Sequence, residues 1–287
     1  MTTTPPAADA PGIRGLRIRF VEHLREGVAP LESFAHPRRC SAIAEVATPD
    51  DLVQPSTAAS TLDDLRLLMV PSGSATPIEW QRRAEEWMHG GHAAGGQPTV
   101  DLLLRSERVL WRPGQAVIVG MPERCDELLP GLVQFAFYEQ ELRKLERGLD
   151  ADWDTAQADI ALTHGVGKEA LARRGHVNTM TTRSSVRRMQ FARLEPCLEK
   201  PSIALASPAR RLAGELAAQA EVVERLHWVD DKLEVYEDLY ELANDRLSEF
   251  AYFLREYRLE AWIIVLLVAE CVLMSVELWL MIRGGGR

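Results

Sequence analysis

Residues Ala261 to Ile282 read AWIIVLLVAECVLMSVELWLMI, 22 residues interrupted by only Glu270, Ser275 and Glu277 among polar side chains. A helix needs about 20 predominantly apolar residues to cross the hydrocarbon core of a bilayer. The twelve Leu, Ile and Val residues contribute roughly −5 kcal/mol towards insertion, and a charged acid at mid-span costs about 2.5–3.5 kcal/mol, less near an end. The balance favours insertion. Trp262 and Trp279 stand near the two ends, as interfacial aromatic residues do. The segment is therefore expected to be a single transmembrane helix, 261–282, in contact with a lipid bilayer. The competing reading is a buried core helix. Glu270 and Glu277, seven residues apart, share a helix face about 10 Å apart along the axis. Ionisable groups in a bilayer usually face protein, so this face is expected either to meet another helix or form a polar relay in a homo-oligomer, or, in the competing reading, to let Glu277 reach the interface while Glu270 is tolerated neutral.

Upstream, Glu215 to Ile282 contains neither Gly nor Pro. Apolar residues recur in five heptads, Leu226/Val229, Leu233/Tyr236, Tyr240/Ala243, Leu247/Phe250 and Leu254/Tyr257, with acids on the other faces. That pattern predicts a coiled-coil or long packed helix over 207–260, opened by Ser207 as N-cap and Pro208 behind it. Two roles compete for it: a self-association stalk, or a hairpin folding back on its own domain. Breaks are expected, if anywhere, at His227–Asp231 or Asn244-Asp245.

The run LYELANDRLSEFAYFLREYRLEAWIIVLLVAE, residues 239–270, resembles the C-terminal signature of the "required for meiotic nuclear division" family, which includes bacterial and mitochondrial members. The family pattern ends a helical segment in Arg-Leu-Glu-Trp before an apolar span with an internal Glu. Arg258, Leu259 and Glu260 match, Ala261 is inserted before Trp262, and Glu270 falls at the position of the intramembrane Glu. Likeness extends over 225–280, and Glu107 to Met121, ERVLWRPGQAVIVGM, bears a faint similarity to the family's N-terminal hairpin region. The resemblance implies a membrane-anchored, non-catalytic protein. For the mitochondrial members it implies a link to translation at the inner membrane.

The N-terminal part has a different texture. Residues 1–12 are expected to be disordered. Strands are predicted at Leu16–Val21, Ser41–Ala47, Leu65–Val70, Val100–Arg105, Arg108–Trp111 and Gln115–Val119, with Arg112-Pro113-Gly114 as a turn. Helices are predicted at Ile78–Met88, Glu123–Gly148, Asp152–Leu162 and Arg183–Glu199. The organisation expected is an α+β head over 13–122, a helical region over 123–206, the stalk and the span.

Composition bounds the function. In 287 residues, 46% are hydrophobic and 26% charged, with a formal net charge of −9. The mean hydropathy of −0.14 excludes a polytopic membrane protein. The acidity disfavours a general nucleic-acid binder. Four dispersed cysteines (Cys40, Cys125, Cys197, Cys271) form no CxxC pair, which fits a reducing compartment. The N-terminus has no apolar signal core, so the head is expected on the cytoplasmic side of a bacterial inner membrane with the C-terminus across it.

Few residues invite chemistry. His89 and His92 lack the companions a metal site needs, and no metal or cofactor is expected. His36 with Cys40 has no third orienting group, so a hydrolase-like head is a minor alternative and no small-molecule substrate is expected. Gly165-Val166-Gly167-Lys168 fails the phosphate-loop spacing, with Leu162 and Glu169 at the positions that should be Gly and Ser or Thr. The basic cluster is richer. Between Val166 and Arg193 there are seven cations against Glu169 alone. Arg183, Arg187 and Arg188 on one helix form a candidate phosphate-binding surface for RNA, ribosomes or anionic lipid. The competing reading is charge balance with the acid-rich 139–159 region. The function expected is a self-associating membrane scaffold or adaptor, with an RNA or ribosome tether as the alternative.

Overall fold

The computed structural model describes residues 12–24, 27–53, 64–72, 78–90, 99–164, 167 and 169–284. Residues 1–11, His92 with most of its glycine-rich loop, and Gly165, Val166 and Lys168 lie outside them. The chain divides into two compact units, Met1–Asp150 with Arg187–Lys232, and Ala151–Val186 with Leu233–Arg287.

The first unit is built on a seven-stranded mixed sheet. Its strands are β1 (Arg14–Val21), β2 (Glu32–Phe34), β3 (Cys40–Ala47), β4 (Asp64–Pro71), β5 (Val100–Leu104), β6 (Glu107–Arg112) and β7 (Gln115–Gly120), in the order β2-β3-β1-β4-β7-β6-β5. All neighbours are antiparallel except β4 and β7. In β1 the alternation is real: Ile18 and Phe20 are buried while Arg17 and Arg19 face out towards Asp64. In β4 it disappears, since Leu65 and Leu67 to Val70 are all buried, as a central strand covered on both faces requires. Gly114 closes the β6–β7 turn at φ +73°, a conformation that glycine adopts without strain.

Helices cover the two faces. Leu68, Val70, Leu110 and Val117 pack with Ala84, Trp87 and Met88 of α2 (Ile78–Gly90). The long α3 (Pro122–Asp159) takes another side, where Phe34 stacks on Phe137 at 4.1 Å and Trp111 meets Phe135 edge-on at 4.9 Å. Residues 131–140 of α3 are buried all round. At Gly131 the backbone of α5 (Ser207–Gln219) passes so close that a Cβ would lie 2.1 Å from the Ala209 carbonyl oxygen. The first turns of α6 (Val222–Gly284) are tied to α3 by Arg225, which grips Glu146 with two bonds of 2.8 Å and Glu139 with one of 3.1 Å.

The second unit joins the end of α3 and two short 3-10 turns (Ile160–Thr163, Ala170–Arg173) to residues 174–186 of α4 (Arg174–Glu199) and to α6 from Leu233 onward. Leu162, Val177, Met180, Leu233, Tyr236, Tyr240, Ala243 and Leu247 are buried.

Several sequence expectations need correction. β2 and the five-residue α1 (Pro49–Val53) carry too short a pattern to be read. The helices expected at 123–148 and 152–162 are one helix as far as Asp159, and the one expected from Arg183 begins at Arg174. Ala206, not Ser207, is the N-cap of α5. The helical run breaks at Ala220–Glu221, where Glu221 has φ +51°, and continues unbroken through His227–Asp231 and Asn244-Asp245.

Candidate functional site

The heptad positions of α6 divide sharply. Leu226, Val229, Leu233, Tyr236, Tyr240, Ala243 and Leu247 are buried within the chain's own helices. Phe250 and Leu254 are half-buried, and Tyr257 is 63% exposed. The seam thus serves the packed-helix reading through Leu247. Beyond it, from Tyr252 to Glu277, apolar side chains are exposed on every side of the helix, Trp262 at 67%. Among the described residues this is the one helix long and apolar enough to cross a membrane. From Ala251 to Glu277 it measures about 40 Å, longer than a bilayer's hydrocarbon core of about 30 Å. Leaving a Leu, Ile or Val side chain in water costs about 1.5–3 kcal/mol relative to burial.

Polar groups in this segment behave differently from one another. Ser275 donates to the Cys271 carbonyl at 2.7 Å, which satisfies its hydroxyl inside the helix. Glu270 and Glu277 are exposed on a shared face and have no hydrogen bond or ion pair among the described residues. The motif residues Arg258, Leu259, Glu260 and Trp262 lie on the same exposed stretch.

The arginine cluster is engaged internally. Arg183 donates to both carboxylate oxygens of Asp152 at 2.9 Å, Arg188 pairs with Asp230, and Arg187 donates to the Gly148 carbonyl at 2.8 Å. Arg173 of the same sequence cluster pairs with Asp159. These contacts follow the charge-balance reading: the guanidinium groups face acids and carbonyls, and any phosphate would compete with them.

Asp159 is the chemical centre that no motif announced. It is wholly buried and accepts bonds from Arg173, from His176 Nε2 at 2.7 Å and from Tyr240 Oη at 3.1 Å. Burial, with the Asp159 carboxylate beside it, raises the Tyr240 phenol above its ordinary value. Partners 14, 17 and 81 residues away leave no local sequence signal. Nearby, Trp153, Ala156, Ile160, Val235 and Leu239 line an apolar groove of about 210 Å³.

The remaining candidates offer little chemistry. Cys40 is buried in β3, and burial pushes its thiol up, the opposite of what a nucleophile needs. His36 is exposed. His89 lies in the last turn of α2 with Nδ1 2.8 Å from the Glu85 carbonyl oxygen. Among the described residues no group of three His, Cys, Asp or Glu side chains converges to hold a metal ion. The chain matches no family model, and no curated protein matches it.

Proposed function

We propose that this chain is a non-catalytic membrane scaffold or adaptor, anchored in a lipid bilayer by residues 261–282 and self-associating through that span. The observation that carries the reading is the change along α6, from a seam buried up to Leu247 to a helix with apolar side chains on all sides beyond Tyr252. A water-soluble chain would bury such a surface or pair it. The likeness of 239–270 to the "required for meiotic nuclear division" signature supports an anchored, non-enzymatic role. Glu270 and Glu277 supply the face for association, because two acids on one face of a lipid-embedded helix are best satisfied by a second copy.

The test is extraction of full-length protein from membranes. Under alkaline carbonate the chain stays in the pellet, and it moves to the supernatant only with detergent. Recovery in the carbonate supernatant overturns the anchor, and the scaffold reading with it.

A further inference from the structure

In the first unit a cavity of about 300 Å³ lies between the β5–β6 turn, the start of α3 and the first turn of α5. Glu107, the first residue of β6, lines it and is only 7% exposed. Ser106 donates to its Oε1 at 2.7 Å, and its other carboxylate oxygen accepts nothing among the described residues. That oxygen is not sealed in the core, where the polar side-chain atoms left without a partner are Arg66 Nε, Trp111 Nε1 and Ser184 Oγ. It opens into the cavity. Gly120 on the adjacent β7 makes room for the side chain, since a Cβ there would stand 2.9 Å from Glu107 Cγ.

A carboxylate offers about four acceptor sites, and a buried one is ordinarily paired or fully hydrogen-bonded. Arg105, Arg124 and Arg211 line the same cavity, yet none of them forms an ion pair with Glu107 among the described residues. Arg124 is taken by Glu127 at 2.7 Å, and these two lining charges cancel. Arg211 has an acid only at 3.9 Å, its exposed helix neighbour Glu215. Arg105 has no hydrogen bond or ion pair among the described residues. Its φ of +55° in the two-residue turn is a conformation that glycine adopts more readily.

The walls thus present one buried carboxylate and two exposed guanidinium groups that do not satisfy each other. A lone oxyanion in the cavity would be repelled by Glu107, and a metal ion would be repelled by the arginines. A ligand that carries both signs answers both walls. Leu104, Leu128 and Pro208 add apolar surface, and the volume lies at the small end of the range for small-molecule sites.

We infer that this cavity binds a free α-amino acid with an apolar side chain, whose ammonium donates to Glu107 and whose carboxylate accepts from Arg105 and Arg211. The inference does not depend on the membrane anchor. It adds a small ligand to a chain read above as a scaffold.

Calorimetric titration of the full chain in a nonionic detergent at neutral pH tests this with L-leucine, L-methionine and L-phenylalanine. At least one of them binds saturably. Its analogues lacking the amine or the carboxylate (for leucine, isocaproate and isoamylamine) bind at least about tenfold more weakly, the effect of one charge-assisted contact. Glu107→Gln weakens binding of the amino acid by a similar factor and leaves the amine-free analogue unchanged, a selectivity that a merely structural role would not give. Arg105→Gly also weakens binding, while its thermal unfolding midpoint stays at or above that of wild type because glycine accepts the φ of that turn. That variant decides the matter should Glu107→Gln fail to fold. Absence of saturable binding by all three amino acids overturns the inference. So does equal binding of the two analogues and the parent, tighter binding of phosphoethanolamine, or binding that Arg105→Gly leaves unchanged.

Discussion

Tyr240 donates its phenol proton to Asp159 across 3.1 Å, and both side chains are wholly removed from solvent. Tyr240→Phe keeps the ring and deletes the donor, leaving Asp159 with Arg173 and His176. The loss is about 1–3 kcal/mol, read from urea midpoints at pH 8. The pH dependence has a fixed sign. The folded chain holds the Tyr240 proton more tightly than the unfolded chain, so this stabilisation is complete below the ordinary phenol value near 10 and is lost as pH rises through the elevated one. The gap between wild type and Tyr240→Phe therefore narrows above about pH 10. A constant gap from pH 8 to 11 would contradict the assignment.

Gly131→Ala is expected to be among the most damaging single-methyl changes in the first unit. The added carbon meets the carbonyl oxygen, carbonyl carbon and Cα of Ala209 at 2.1, 2.6 and 2.9 Å, all backbone atoms. No rotamer relieves that, so α5 must move. Destabilisation of at least about 2 kcal/mol follows, measured by thermal or chemical unfolding. Gly175→Ala is the control, since nothing lies within 4 Å of a Cβ there.

Thiol labelling reads the environment of the span. Cys40 and Cys125 are buried, and burial pushes the Cys125 thiol up to about 11, so both resist maleimide at neutral pH. Cys271 is exposed on the helix. In intact membranes a membrane-impermeant maleimide leaves Cys271 unmodified, and transfer of the chain to detergent increases its labelling, with the site located by mass spectrometry. Rapid labelling in intact membranes would place Cys271 in water and remove the lipid assignment.

Replacing Glu270 and Glu277 with Leu separates anchoring from association. Each replacement removes a group costing up to about 3 kcal/mol at mid-span, so carbonate resistance is retained. Cross-linking in membranes falls if the two acids meet a second copy. Unchanged cross-linking would assign the self-association elsewhere.

Legibility in the sequence followed the range of the forces involved. Period-2 alternation in Leu16–Val21 and the heptads from Leu226 to Leu247 are local patterns, and the strand and burial they forecast are present, while the last heptad position, Tyr257, is exposed. The long apolar helix could be read from composition alone. The break at Glu221 could not, because the feature is a non-glycine residue at positive φ, held by Arg225 N bonding to its carbonyl and by its own N–H on Ala218. The apparent gap between two helices near residue 150 was equally misleading. Charge between Asp150 and Asp154 interrupts the apolar pattern but not the hydrogen-bond ladder. The Asp159 cluster and the Arg38–Glu141 pair, 103 residues apart, depend on tertiary placement and have no one-dimensional trace.

From Tyr240 to Trp279 the backbone of α6 contains no glycine, no proline and no break. A rod of that kind transmits torque. Twisting or tilting of its exposed apolar turns has no hinge in which to dissipate and is carried toward the Tyr240 phenol that donates to Asp159. The wholly buried Asp159 is thereby the fixed end of a lever whose free end is the exposed apolar stretch beyond Tyr252.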